Sequence, residues 1–197
     1  RKNVPILKQN LAILEAAGLD IPCKEIEIYI SEKDMAEVKK FLKEHNFQYS
    51  YPLILIHPSS LWNRGFVSWP LDKYISLIKI LIKELGAKII IIGGQSERES
   101  GEKIVKVIKS PDVLNTTGKT TISQMAALIK LSDIYIGNDS GPLHIANALR
   151  KKSIGIFGPT LPEQVLTQYT NIRAVRKDIP CSPCYLHQHN FTPDCKD

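Results

Sequence analysis

No stretch of this 197-residue chain approaches the roughly 20 consecutive apolar residues that a membrane-spanning helix requires. The opening Arg1-Lys2-Asn3-Val4-Pro5 has no apolar core of the kind a signal peptide carries, and no initiator methionine, which points to a piece of a longer protein. Neither a Walker loop nor a G-x-G-x-x-G fingerprint occurs, so ATP hydrolysis and NAD chemistry have no support. Internal repeats and low-complexity tracts are absent. Aromatic residues are scarce at 7%, and they do not interleave with basic residues as they would along a nucleic-acid-binding stripe. Cysteine is scarcer still: Cys23 stands alone and reads as buried or inert, and Cys181, Cys184 and Cys195 lie in the tail.

What is present describes one soluble α/β domain. The 43% hydrophobic and 23% charged fractions suit an ordinary globule with a single substantial core. The net charge of +6 is spread over Lys73, Lys79, Lys83, Lys88, Lys103, Lys106 and Lys109, the pattern of solvated helix faces. The same charge can also help attract a diphosphate or an anionic membrane surface.

Periodicity divides the chain into 1–50, 51–180 and a Cys/His tail at 181–197. A helical apolar pattern over about 3–17 ends at Gly18, a C-cap glycine. Residues 26–30 read as a short strand, and Ser31 with Asp34 reads as a capping box opening a helix to about His45. From Leu53 onward strands and helices alternate. Strands are expected at about 53–57, 88–92, 113–115, 133–137, 153–157 and 172–175. Helices are expected at about 71–85, 97–109, 121–131 and 141–149. Continuously apolar runs such as Ile89-Ile90-Ile91-Ile92 suit parallel strands covered on both faces. The alternation predicts a Rossmann-like, doubly wound parallel sheet, whose ligands sit beyond the carboxyl ends of the strands. His57, Gly93 and Asp139 all fall at such ends.

Three loops carry the chemistry. Asp139-Ser140-Gly141-Pro142-Leu143-His144 lies between a strand and a short helix, where unpaired amides and the helix dipole favour an anion. Gly141 permits close backbone approach, and His144 one turn in points back to the same mouth. A histidine merely buried in the helix is the alternative for His144. His57-Pro58-Ser59-Ser60 offers hydroxyls and amides to phosphate oxygens, or is an ordinary polar loop. In Gly93-Gly94-Gln95-Ser96-Glu97 the glycines allow a nucleotide to approach. Glu97 can bond a ribose hydroxyl or simply complement the next helix's dipole. Thr120 and Thr121 read as helix caps. Cys181-x-x-Cys184 with His187, His189 and Cys195 permits zinc, a disulfide with a spare thiol, or reduced thiols.

These motifs together resemble glycosyltransferase family 9, the heptosyltransferases of lipopolysaccharide core synthesis. The resemblance rests on Asp139-Ser140-Gly141-Pro142-x-His144-x-Ala146-x-Ala148, then Phe157-Gly158-Pro159-Thr160, preceded in order by His57-Pro58-Ser59-Ser60, Trp69-Pro70 and Gly93-Gly94. It implies the C-terminal, donor-binding half of a GT-B enzyme, with 1–50 joining two domains. An inverting transfer of heptose from an ADP-activated donor to lipopolysaccharide core is implied. The general base would belong to the N-terminal domain, leaving this piece inactive alone. Donor contacts are then expected from Ser59, Ser60, Arg64, Gly93, Gly94, Glu97, Thr120, Asp139, Ser140, Gly141 and His144. Arg64 stands as the diphosphate cation because Val67 occupies the place where the family often has lysine. Asp139 is assigned to sugar hydroxyls or to orienting donors, since a carboxylate beside a diphosphate is otherwise repulsive. Leu161 replaces an aspartate frequent in the family. The resemblance implies no cofactor, no metal and no nucleic acid, and a cytoplasmic location with contact at the inner membrane surface left open. The rival readings are a GT-B sugar-nucleotide epimerase and a basic, non-catalytic binding module.

Overall fold

The computed structural model describes residues 5–21, 26–47, 52–58, 68–166 and 171–178. Its centre is a six-stranded sheet, β1 (Leu53–His57), β2 (Lys88–Ile91), β3 (Val113–Asn115), β4 (Ile134–Asn138), β5 (Ser153–Phe157) and β6 (Ile172–Arg176). All pairings are parallel, in the order β3-β2-β1-β4-β5-β6. The chain therefore runs outward from β1 to one edge, returns, and runs outward to the other. That reversal puts a crevice beyond the carboxyl ends of β1 and β4, the usual ligand position in such sheets.

Every strand residue of β1 is buried, and alternate residues face two separate cores. Leu53 and Leu55 join Ile90 on the side covered by α2 (Glu32–Glu44), α5 (Ile122–Leu131) and α6 (Gly141–Ala148). Ile54 and Ile56 join Ile89 and Ile91 under α3 (Leu71–Leu85) and α4 (Arg98–Ile108). Covering both faces is what a continuously apolar strand demands, at about 25 cal/mol per Å² of apolar surface removed from water. α1 (Ile6–Ala16) buries none of its residues and touches the four-residue α7 (Pro162–Val165).

Helix boundaries follow local chemistry. Gly18 and Gly86 end α1 and α3 with positive φ, 78° and 60°, a region glycine enters without Cβ strain. The Ser31 hydroxyl accepts the Asp34 N–H at 3.0 Å and caps α2. Thr121, rather than Thr120, caps α5, in a reciprocal capping box with Gln124.

Residues 26–30 form no strand, against the expectation from sequence. Their exposure alternates as a strand's does, and Ile30 packs on the α2 side of the core. A strand also needs a backbone partner, and β1 already has β2 on one side and β4 on the other. The segment stays extended and unpaired in the sheet.

Candidate functional site

A cavity of about 390 Å³ opens at the reversal point of the sheet. His57 at the end of β1, Gly93, Gly94 and Glu97 after β2, and Asp139, Ser140 and Gly141 after β4 line it. Three loops distant in sequence thus meet in one crevice, as strand–helix alternation predicts. Ile122, Met125, Pro142 and Ile145 form an apolar wall opposite the polar one, and Ile122 is 71% exposed. Pro142 belongs to the motif already singled out; Ile122, Met125 and Ile145 were not foreseen, because each reads in sequence as an ordinary position on an amphipathic helix.

The β4–α6 turn leaves the N-terminus of α6 without a side-chain cap: Ser140 is the N-cap residue, but its hydroxyl makes no such bond. It lies instead 3.1 Å from His57 Nδ1 and donates to the Asn138 carbonyl at 3.1 Å. Pro142 brings no N–H to the first turn and so costs no bond there. An added Cβ at Gly141 would meet no atom within 4 Å, so the folded chain makes no packing demand for glycine at that place. Thr160 Oγ1 donates to Asp139 Oδ2 at 2.7 Å, drawing the Phe157–Thr160 turn onto the same edge. Asp139 Oδ1 is 3.6 Å from His144 Nε2. The His144 side chain is 40% exposed, which excludes the buried-histidine alternative.

The loop after β2 is organised differently. Glu97 Oε2 accepts the Gly94 N–H at 2.5 Å. Its Oε1 sits 3.3 Å from His57 Nε2, at ion-pair distance though short of a well-aligned hydrogen bond. The His57 ring beside it holds the Glu97 carboxyl below the usual carboxylate range, against the opposing effect of burial. Glu97 thus gives one oxygen to the Gly94 amide while Oε1 makes no hydrogen bond, and a Cβ at Gly93 would meet its carboxylate at 3.0 Å. Beneath the cavity, Tyr74 Oη donates to Asn138 Oδ1 at 2.9 Å, and burial pushes both Tyr74 and Tyr135 hydroxyls well above their ordinary pKa. The His57–Glu97 pairing has no signature in sequence, since 40 residues separate the two.

Thr120 lies apart from these groups. With Lys119, Gln124, Glu37 and Phe41 it lines a separate cavity of about 200 Å³ between α2 and α5. Ser59, Ser60 and Arg64 fall outside the described residues, as do Cys181, Cys184 and Cys195.

Comparison with known proteins agrees with this architecture. The family described as glycosyltransferase family 9 (heptosyltransferase) matches residues 1–193. The chain belongs to that family. It is 38% identical to lipooligosaccharide heptosyltransferase 2 of Campylobacter jejuni over 118 residues, covering 55% of this chain and 37% of the relative. Against the lipooligosaccharide heptosyltransferase 2 of Haemophilus influenzae the identity is 29% over 150 residues, 73% of this chain and 42% of the relative. Among solved structures, a family 9 glycosyl transferase from Veillonella parvula superposes with a TM-score of 0.79 at 20% identity, over 90% of this chain and 50% of that one. The Escherichia coli ADP-heptose lipopolysaccharide heptosyltransferase II gives 0.69 at 23% identity, over 85% and 50%. At those identities the superpositions show the fold, a Rossmann-like sheet of GT-B architecture. The family 9 chain spans half or less of the length of these relatives.

Proposed function

We propose that this chain is the donor-binding part of an inverting glycosyltransferase that adds heptose to lipopolysaccharide core, with ADP-heptose as donor. The observation that carries this reading is the cavity at the sheet's reversal point, lined by Ser140 and Gly141 at the N-terminus of α6, which has no side-chain cap. A diphosphate there meets the Gly141 amide and the positive end of the helix dipole. As the bond from the anomeric carbon to the diphosphate breaks, negative charge grows on the departing oxygens. Preoriented amides and cations stabilise that charge without having to reorganise. Gly141, Ser140 and His144 serve this purpose, with Arg64, Ser59 and Ser60 from the loop after β1. Asp139, held by Thr160, faces sugar hydroxyls. The apolar wall of Ile122, Met125 and Ile145 suits the flat face of a nucleoside.

The acceptor hydroxyl and its general base belong to the other domain of the GT-B enzyme. Transfer needs acceptor, base and anomeric carbon held together. This chain alone therefore binds donor and transfers nothing, and the complementary half restores turnover. The acceptor is carried on a lipid, which favours work at the cytoplasmic face of the inner membrane. Among the described residues no helix is long and apolar enough to cross a membrane, so that contact is peripheral in this part of the enzyme.

Calorimetric titration with ADP-glucose, UDP-glucose and single-stranded DNA tests the reading. Binding of ADP-glucose, weakened about tenfold by Gly141→Val through loss of backbone approach, is the expected result. Equal affinity of the parent and Gly141→Val would move the site elsewhere. Preference for DNA would favour a basic binding module.

A further inference from the structure

The cavity wall holds a chain of three side chains from three loops: Glu97 Oε1, 3.3 Å from His57 Nε2, and His57 Nδ1, 3.1 Å from Ser140 Oγ. His57 is 2% exposed and Glu97 5%, so water does not replace one partner for the other. The proton count of this chain is constrained. The Glu97 carboxylate accepts only, and at 3.3 Å its charge favours a proton on Nε2 of the ring. Nδ1 then has two choices. Without a proton it takes the single Ser140 hydroxyl proton, leaving Ser140 lone pairs toward the cavity. With a proton it donates into Ser140 Oγ, and the hydroxyl proton is released to another acceptor. The Asn138 carbonyl, 3.1 Å from Ser140 Oγ, is such an acceptor in the second arrangement.

An anion at the α6 N-terminus discriminates between these arrangements, since lone pairs facing a phosphate oxygen repel it and a hydroxyl proton attracts it. We infer that His57, held by Glu97, is a positioning residue: with the anion bound, it carries protons on both ring nitrogens, donates from Nδ1 into Ser140 Oγ, and turns the Ser140 proton toward the anion. Among the described residues the other titratable groups around the pair are Tyr135 from β4 and Tyr74 from α3, both kept neutral by burial, and Asp139 and His144 across the turn. Of these Asp139 is the carboxylate; it accepts from Thr160 Oγ1 at 2.7 Å and lies 3.6 Å from His144 Nε2. Glu97 is therefore the carboxylate that faces the His57 ring, and in this role it keeps His57 a double donor.

This inference rests on the donor-site reading, and the test separates the two. The 197-residue chain, with 15N-labelled histidine rings, is saturated with ADP-glucose, whose doubly esterified diphosphate has no group titrating near neutrality. The His57 signals, assigned through its own Cβ and backbone, are expected to show a proton on each ring nitrogen. Such spectra come from the unsubstituted chain and need no variant to fold. His57→Gln and Ser140→Ala should each weaken ADP-glucose about tenfold, and the double variant no more than either, because His57 acts through Ser140. A bare Nδ1 at saturation overturns the inference while leaving the donor site standing. So does a His57→Gln effect of the same size in the Ser140→Ala background. Failure of the parent to bind ADP-glucose removes both readings together.

Discussion

At Gly93 an added Cβ would meet the Glu97 carboxylate at 3.0 Å, whereas at Gly141 it would meet nothing within 4 Å. The two glycines face one cavity from opposite sides, yet they answer to different demands. Around β1 and β2 the polar groups are buried and turned on one another: His57 on Glu97, Glu97 on Gly94, and the Gly118 N–H on the Gly93 carbonyl at 3.0 Å. Around β4 and α6 the groups are half exposed and the helix end carries no side-chain cap. One side of the crevice is a buried scaffold, the other, on the proposed function, a receiving surface. Substitutions on the scaffold should therefore cost stability, and substitutions on the receiving surface should cost binding.

The strongest attempt to break this contrast is Gly137→Ala, where β4 packs against His57 of the scaffold side. The new methyl group would collide with the Tyr135 hydroxyl and lie 2.8 Å from Tyr135 Cζ, with His57 Cβ at 3.2 Å. A loss of about 3 kcal/mol in urea unfolding is expected, because an overpacked buried strand has nowhere to move the ring. Unchanged stability would mean that the scaffold side is looser than its burial suggests.

Glu97→Gln comes next and has a pH signature. The folded-state pKa of Glu97 lies below its unfolded value, chiefly through His57. Its contribution to stability is thus fully present above about pH 4.3, the ordinary glutamate value, and is lost as pH falls through the lower folded pKa. The amide cannot titrate, so the variant should be less stable near neutrality by about 1–2 kcal/mol and show a shallower acid limb. Equal acid limbs in the two proteins would remove the ion pair from the account.

On the receiving side, His144→Ala should shift unfolding by no more than about 0.5 kcal/mol, as expected of a half-exposed side chain. ADP-glucose affinity should fall severalfold, since a charge-assisted contact is lost. Smallest of all is the stability change of Gly141→Val, at most about 0.5 kcal/mol by thermal melting, despite its tenfold effect on binding. A large destabilisation there would show that α6 depends on this glycine for its own folding.

Much of this was legible before any coordinates. Continuously apolar strands alternating with amphipathic helices dictate a covered parallel sheet, because strands buried on both faces can satisfy their backbones only against each other. The six strands were expected within a residue or two of where they lie, and the turn chemistry at Gly18, Ser31 and Gly86 is local and readable as such. The meeting of His57, Gly93 and Asp139 followed from their common position at strand ends. The false strand at 26–30 shows the limit of period-two reading: alternation records exposure, and pairing depends on an available neighbour. Only the tertiary structure decided that Glu97 spends its carboxylate on Gly94 and His57, that Thr120 lines a different cavity, and that Ser140 turns from capping its helix to meet His57. The two His57 contacts join residues 40 and 83 positions apart, and no local propensity encodes the angle at which two loops approach across a twisted sheet.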